Sequence, residues 1–547
     1  LILMALFVLI FSSAFAGGDI DESEIASKLN SLAGTSNVGR EYIFSIPPPY
    51  DAESGGFDNF IRVFVISPVV TNIKVGIGGA YKTFKSKGNG LTVVDIPAAS
   101  AAPFPFIATS QQPAARIYKD KAIHILAEEP VVVYVIVRYK YTTDGFLAIP
   151  VSSLGREYAV ATSPQWGGGF NYKLTPWVNI TAAFDKTKVT FTMGGGAVQS
   201  FTEIDGGSLL GTGQSRNWNM NKGETLIFAA SSKDSRGNVI NGDGQDLTGS
   251  RIISNRPVAL VTGHACSNIP IANTACDYTC EMELPAVSWG KNVIVPQVAL
   301  RKKPGIIRIF AKENDTEIFR NGVSFVNVTS TVGAQGESFQ EQRLWPIEQA
   351  PAPAVLTSTK PFYVMYYNPG TTEDNSSNSD PFVMVMTPVE QYQNDIIFCT
   401  PNAAGGDPFS QNWLNVVVEA DVNGLIPNDF EFGTFTSDWQ WQKVRIMNGA
   451  TIASLPPFKM NVDAANPDRK FLIKNISLPY SGVFRLRCPS KVFASYSYGY
   501  GSYESYGYPT SAALADLSNI DVWKPIPTYK MECDGENGMT IKSGSVM

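Results

Sequence analysis

The chain is poor in the side chains on which most enzymes rely. Only two histidines, His124 and His264, occur in 547 residues. There is no Gly-x-Ser-x-Gly elbow, His-Glu-x-x-His pair or phosphate-binding glycine loop, so common hydrolytic and nucleotide chemistries lack their parts. Charge is sparse: 43 Lys and Arg face 49 Asp and Glu, the net charge is −6, and no basic run occurs. That balance argues against a nucleic-acid partner. The unbroken apolar stretch over residues 2–11 is too short to span a bilayer. Six cysteines can pin loops but cannot replace a core. Cys266, Cys276 and Cys280 lie near His264, but their spacing matches no common zinc motif. Asn241-Gly-Asp243-Gly-Gln-Asp246 looks like a calcium loop yet lacks its acidic end and helical flanks, and reads as a polar turn. No catalytic residue, metal or cofactor is expected.

What the chain does have is repetition. Apolar runs around Pro130, Pro257 and Pro361 end alike, with a weaker copy at Lys491, and these anchors are 127, 104 and 130 residues apart. That spacing is domain-sized, not a short solenoid period. A second marker, Pro followed four residues later by a bulky side chain, opens three units: Pro150 to Leu154, Pro285 to Trp289 and Pro388 to Tyr392. Gly39-Arg-Glu-Tyr42 opens the first unit without the proline. A third marker, at Thr71, Thr187 and Thr316, falls at matching depth.

The units read as β structure. Val131 to Val137 is a continuous β-branched and aromatic run, as in a strand buried on both faces. Turn signals such as Asn89-Gly90, Asn321-Gly322 and Asn423-Gly424 separate such runs. Each closing proline lacks an N–H and is expected at a strand's first position. The predicted fold is all-β: four tandem sandwich-like units of roughly 105–130 residues, with a β-propeller as the alternative. The boundaries are 39–149, 150–284, 285–387 and 388–509, followed by a tail over 510–547. Residues 1–16 read as a signal peptide ending in Ala14-Phe-Ala16, which places the mature start at Gly17, and 17–38 form a polar lead.

Secretion makes disulfides the expected state of the cysteines. Sequons occur at Asn179, Asn314, Asn327, Asn375 and Asn475, of which Asn375 lies in the most polar loop. Six tyrosines crowd one segment: Tyr496, Tyr498, Tyr500, Tyr503, Tyr506 and Tyr508. They read either as a contact surface or as part of the closing strand and its exit loop. Trp289, between units two and three, reads as an interdomain anchor.

Residues 150–325 resemble a known family. Asp246-Leu-Thr-Gly-Ser250, Asn255 to Cys266 with its Gly263-His-Ala-Cys, Ala275-Cys-Asp277, Glu283-Leu-Pro285 and Trp289-Gly-Lys291 are similar to the N-terminal domain of the IgG Fc-binding protein family. The resemblance implies that Cys266 and Cys276, which match the shared cysteines, are bonded. Cys280 has no counterpart in the pattern. Cys399 with Cys488 forms the expected second pair, in the opening and closing strands of unit four, which leaves Cys280 with Cys533. The family's name records an activity of one large mosaic protein with cysteine-dense modules that this chain lacks. The resemblance therefore implies an extracellular, non-enzymatic role and not an antibody partner.

The expected function is a secreted structural or adhesive protein of a surface or mucus-like layer, able to self-assemble. The alternative is a glycan- or microbe-binding recognition protein of innate defence. Expected partners are further copies, other extracellular matrix or mucus proteins, and glycans.

Overall fold

The computed structural model describes residues 36–517 except 47–48, 51–58, 68, 87–89, 102–114, 165–173, 195–200, 205–207, 231–244, 334–338, 344–352, 402–408, 436–437, 456–468 and 479–480. It also describes the backbone of 528–534 and 538–544. The expected signal peptide, its Gly17 boundary, the polar lead up to residue 35 and the Asn241–Asp243 turn lie outside the described residues.

The closing strands organise each unit. In unit one a single strand runs from Ile123 to Arg138. Its first half pairs with Gly39–Phe44 and Asn72–Ile77, and its second half with Phe60–Ser67 and Thr143–Leu147. Pro130 sits where the strand passes from one sheet to the other. Unit three repeats this with Ala354–Asn368 and Pro361. The expectation that the proline begins its strand is therefore corrected for these units. A residue without an N–H fits wherever the ladder changes partners, and a strand's first position is only one such place. In unit two the strand is cut into Arg251–Ser254 and Val258–Ser267, and two sheets result. In unit four the cut falls between Val483–Arg487 and Phe493–Gly501. All units are antiparallel and sandwich-like, and no closed propeller forms among the described residues. Arg116–Tyr118, inside the first expected boundary, adds an edge strand to unit two by pairing with Thr225–Ala229.

The β-branched run of unit one is buried on both faces, because two units claim it. Val131, Val133, Val135 and Val137 face the cluster shared by units one to three. Val132, Tyr134 and Ile136 face a cluster shared with unit four. The tyrosine segment of unit four does the same. Tyr496, Tyr498 and Tyr500 pack toward unit three, and Tyr506 and Tyr508 toward unit one. Each hydroxyl with a resolved partner stays satisfied: Tyr498 donates to Asn415 Oδ1 at 2.8 Å, and Tyr508 to the Cys399 carbonyl at 2.8 Å. Five of the six tyrosines are thus buried, and only Tyr503 is exposed. Of the two readings of this segment, the closing strand and its exit loop is the one the structure shows, and small Ser and Gly residues separate the rings. Those small residues are what let neighbouring units approach: a Cβ on Gly507 would lie 2.4 Å from the Phe382 ring.

The opening markers are the joints between units. A Cβ on Gly39 would lie 2.3 Å from Pro150 Cβ, one on Gly155 2.3 Å from Pro285 Cβ, and one on Gly290 2.6 Å from Pro388 Cβ. In units one to three the opening glycine is therefore a seat for the next unit's opening proline. A short 3₁₀ turn follows each proline: Val151–Ser153, Ala286–Ser288 and Val389–Gln391. The last joint is made by the tail. The Ala513 N–H donates to the Gln391 carbonyl at 3.0 Å, and the Asn37 N–H donates to the Ala512 carbonyl at 3.1 Å. The Ala512 N–H donates in return to Asn37 Oδ1 at 3.2 Å. The four units thus close into a ring in which Asn37 meets Ala512 at one seam.

Trp289 lies at the joint between units two and three. It is buried, donates to the Leu284 carbonyl at 3.1 Å and stacks on Tyr363 with centroids 5.4 Å apart. Arg308 of unit three enters unit two and pairs with Asp246 at 2.8 Å. Asp246 also accepts from Thr162 and Thr248, so the Asp-Leu-Thr-Gly motif is an inter-unit clasp. With an arginine already in place, Asp246 does not belong to a cation loop.

Candidate functional site at the axial mouth

Each closing strand folds back through a hairpin into a short strand at the ring's centre. These axial strands are Thr143–Leu147, Asp277–Met282, Phe382–Val385 and Glu504–Pro509. They pack in a closed cycle, one from each unit. All four hairpins turn at the same end of the axis, and each axial strand has an acid within two residues of its start: Asp144, Asp277, Asp380 and Glu504. All four side chains are buried.

The acids have different tasks. Asp144 is an axial pin. Its oxygens accept from the Gly145 N–H at 2.8 Å and the Cys280 N–H at 3.0 Å. The N–H groups of Val383 and Gly507 bond it too. The axial strands do not ladder with one another, so their inward N–H groups need an acceptor, and one carboxylate serves all four units. Burial pushes the Asp144 pKa well up, while those N–H groups pull it down. Asp277 accepts from the Tyr278 N–H at 2.7 Å and the Thr143 N–H at 3.2 Å through Oδ1, and its Oδ2 accepts nothing among the described residues. Burial, then the nearby Asp380, Glu504 and Asp144 charges, push its pKa well up. Asp380 is raised by burial and by Glu504, and Arg301 opposes this. Glu504 is held by Arg138 at 2.9 Å, and Arg301 is paired with Asp374 at 2.9 Å.

Above these acids the hairpin tips enclose a cleft of about 380 Å³. Lys140 and Tyr141 come from unit one, Cys276 from unit two, Asp380 from unit three, and Tyr503 and Glu504 from unit four. Tyr141 and Tyr503 form an exposed rim, and the Lys140 ammonium lies 4.8 Å from the centre of the Tyr141 ring. Cys266 and Cys276 are bonded, S–S 2.06 Å, which fixes the unit-two tip against the cleft. Among the described residues no three His, Cys, Asp or Glu side chains lie close enough to hold a metal ion.

The other residues singled out by sequence lie elsewhere. Cys280, Cys399 and Cys488 are buried and free, which corrects both remaining disulfide assignments. Cys399 pairs with Val483, while the Cys488 N–H bonds the Asn394 carbonyl, so the two thiols sit at opposite ends of one ladder. The side chain of Cys533 lies outside the described residues. Asn179 and Asn475 are buried, which removes them as glycan acceptors on the folded chain. Asn314, Asn327 and Asn375 are exposed. His124 bonds Glu41 at 2.8 Å and Tyr81 at 2.6 Å. His264 is buried, accepts from the Cys266 N–H and donates to the Pro164 carbonyl, each at 3.1 Å, so it orders the disulfide loop. Burial lowers its pKa to about 4. Glu283, from the Glu-Leu-Pro motif, accepts from Thr262 and Tyr363, each at 2.6 Å, and burial raises its pKa to about 7.

The sequence reading missed the four axial acids. One signal was present, an acid after the turn that follows every closing strand. The hairpin tips differ too much in length for a fixed spacing to show it.

Fold and mouth together define an all-β ring with a shared acidic recess at one end of its axis. The chain belongs to the family described as IgGFc binding protein, which matches residues 144–499. The match begins at the Asp144 pin and ends in the last closing strand, well beyond the span on which the sequence resemblance rested. The human IgGFc-binding protein is 24% identical over 150 residues, covering 27% of this chain and 2% of that protein. A GH78 family rhamnosidase of Bacillus sp. GL1 overlays with a TM-score of 0.12 at 6% identity, over 92% of this chain and 55% of the other. That likeness carries no argument. No helix among the described residues is long and apolar enough to cross a membrane.

Proposed function

We propose that this chain is a secreted, non-enzymatic binding module that acts adhesively in an extracellular or mucus-like layer and seats its partner at the axial mouth. The observation that carries this reading is that every unit contributes to one recess, so the recess exists only in the closed ring. The disulfide beside it suits an oxidising compartment. The tyrosines that would have served an assembling surface are mostly spent on packing the ring, which favours a binding head over a filament subunit. The two rim tyrosines offer flat apolar faces with polar tips, as wet interfaces do.

The test is retention of the purified chain on immobilised matrix and mucus proteins and on a glycan array. Tyr141→Ala with Tyr503→Ala, both at exposed positions, should weaken retention about tenfold while melting stays unchanged. Equal retention of the double variant would remove the mouth from the function. Saturable retention on glycans alone, lost in the same variant, would move the reading to glycan recognition.

A further inference from the structure

We propose that the axial mouth recognises an organic cation: a primary ammonium or guanidinium group, carried on a partner polypeptide or on a free polyamine. This rests on the reading of the mouth as the partner site and names the chemistry it selects.

Three observations carry it. First, among the described residues Asp277 and Asp380 have no ion pair, while Arg138 answers Glu504, Arg301 answers Asp374 and Lys140 lies on the Tyr141 ring. Second, Asp380 lines the cleft with only 3% of its surface exposed, yet its Oδ1 has no hydrogen-bond partner. A buried, unanswered acceptor is costly unless something fills it. Third, the shape suits a side chain better than a bare ion. Among the described residues no three-ligand cluster borders the cleft of about 380 Å³, whereas calcium and magnesium take six or so oxygens at close range. The cleft can take a hydrocarbon stem between the rim tyrosines with its charged head on Asp380. The Lys140 ammonium, from the adjoining position in sequence, lies 4.8 Å from the centre of the Tyr141 ring, a contact of the kind proposed.

Titration calorimetry of the full chain tests this with cadaverine, a lysine-rich peptide and the same peptide acetylated on every lysine. Cadaverine and the lysine peptide should bind, and acetylation should cost at least about tenfold in affinity. Asp380→Asn, close in shape, should lose at least about tenfold, and Lys140→Gln, which removes a competing charge, should gain about threefold. Tighter binding of the peptide than of cadaverine assigns the site to a partner's side chain, and the reverse order assigns it to a free polyamine. Undiminished binding of the acetylated peptide, an unchanged Asp380→Asn, or displacement by equimolar calcium chloride would each overturn the cation assignment. If retention on matrix proteins needs Tyr141 and Tyr503 but not Asp380, the mouth remains the partner site and only its cation chemistry falls. Thermal melting of both variants checks that the ring still forms.

Discussion

Asparagine in place of Asp144 should open the ring at its centre. The carboxylate takes N–H groups from Gly145, Cys280, Val383 and Gly507, one per unit. An amide of the same shape keeps one accepting oxygen. Its –NH₂ would face donors, leaving about two backbone N–H groups unanswered in a fully buried place. Each such group costs about 1–3 kcal/mol, so Asp144→Asn should destabilise the centre by about 2–6 kcal/mol. That is a large part of an ordinary stability margin of about 5–15 kcal/mol. Urea unfolding gives the overall change, and hydrogen exchange gives its location. In the variant the amides of residues 145, 280, 383 and 507 should exchange together and faster, while the outer sheets keep their protection. Asp144→Ala should behave alike and somewhat worse, since all four donors lose their acceptor. If Asp144→Asn unfolds within about 1 kcal/mol of the native chain and those amides remain protected, the carboxylate is not the pin and the axial strands are held by packing alone.

Trp289→Ala should cost about 3–5 kcal/mol, because a buried indole stacked on Tyr363 leaves a cavity at the joint between units two and three; small-angle scattering should show a looser particle, and an unchanged melt and profile would contradict the anchor. Glu283 has a pKa raised from 4.5 to about 7 in the fold, so the folded state holds its proton more tightly. Stability should therefore fall by about 3 kcal/mol as pH rises from 4.5 to 7 and then level off, and Glu283→Gln should flatten that slope in urea titrations at fixed pH. His264 acts in the opposite sense: its folded pKa is lowered from 6.5 to about 4, so stability present above pH 6.5 should drain as pH falls toward 4, and a variant at Glu283 should leave that acid limb intact. A maleimide should label none of Cys280, Cys399 and Cys488 in the folded chain and all three after denaturation, since they are buried thiols; a disulfide-linked Cys399–Cys488 peptide would refute their placement.

What was legible in the sequence was local or periodic. Alternation and turn residues marked the strands, and the recurring Pro-to-bulky segments marked the units. The unbroken run from Val131 to Val137 announced two-sided burial, although not which neighbour lay on the second side. Register across distance was not legible. Cys399 and Cys488 do lie on paired strands, yet pairing brings Cys399 to Val483 and Cys488 to Asn394. The tyrosine segment was equally open to a surface or a core, and only the third dimension decided, because its partners sit in units one and three. The mouth was the least legible of all. Its acids come from four hairpins of unequal length, and convergence on an axis is a property of ring closure that no single unit encodes.

The seam between Asn37 and Ala512 has a mechanical consequence. Where such a ring is carried within a longer polypeptide, the flanking segments leave from neighbouring points. The ring would then hang from its parent chain like a pendant, adding little to the contour under load. Tension on the two flanks would bear first on the seam, whose hydrogen bonds are backed by the core that units one and four share. Only when that core gives way would the first unit part from the fourth and the hairpin tips disperse, so the mouth would come apart last and all at once.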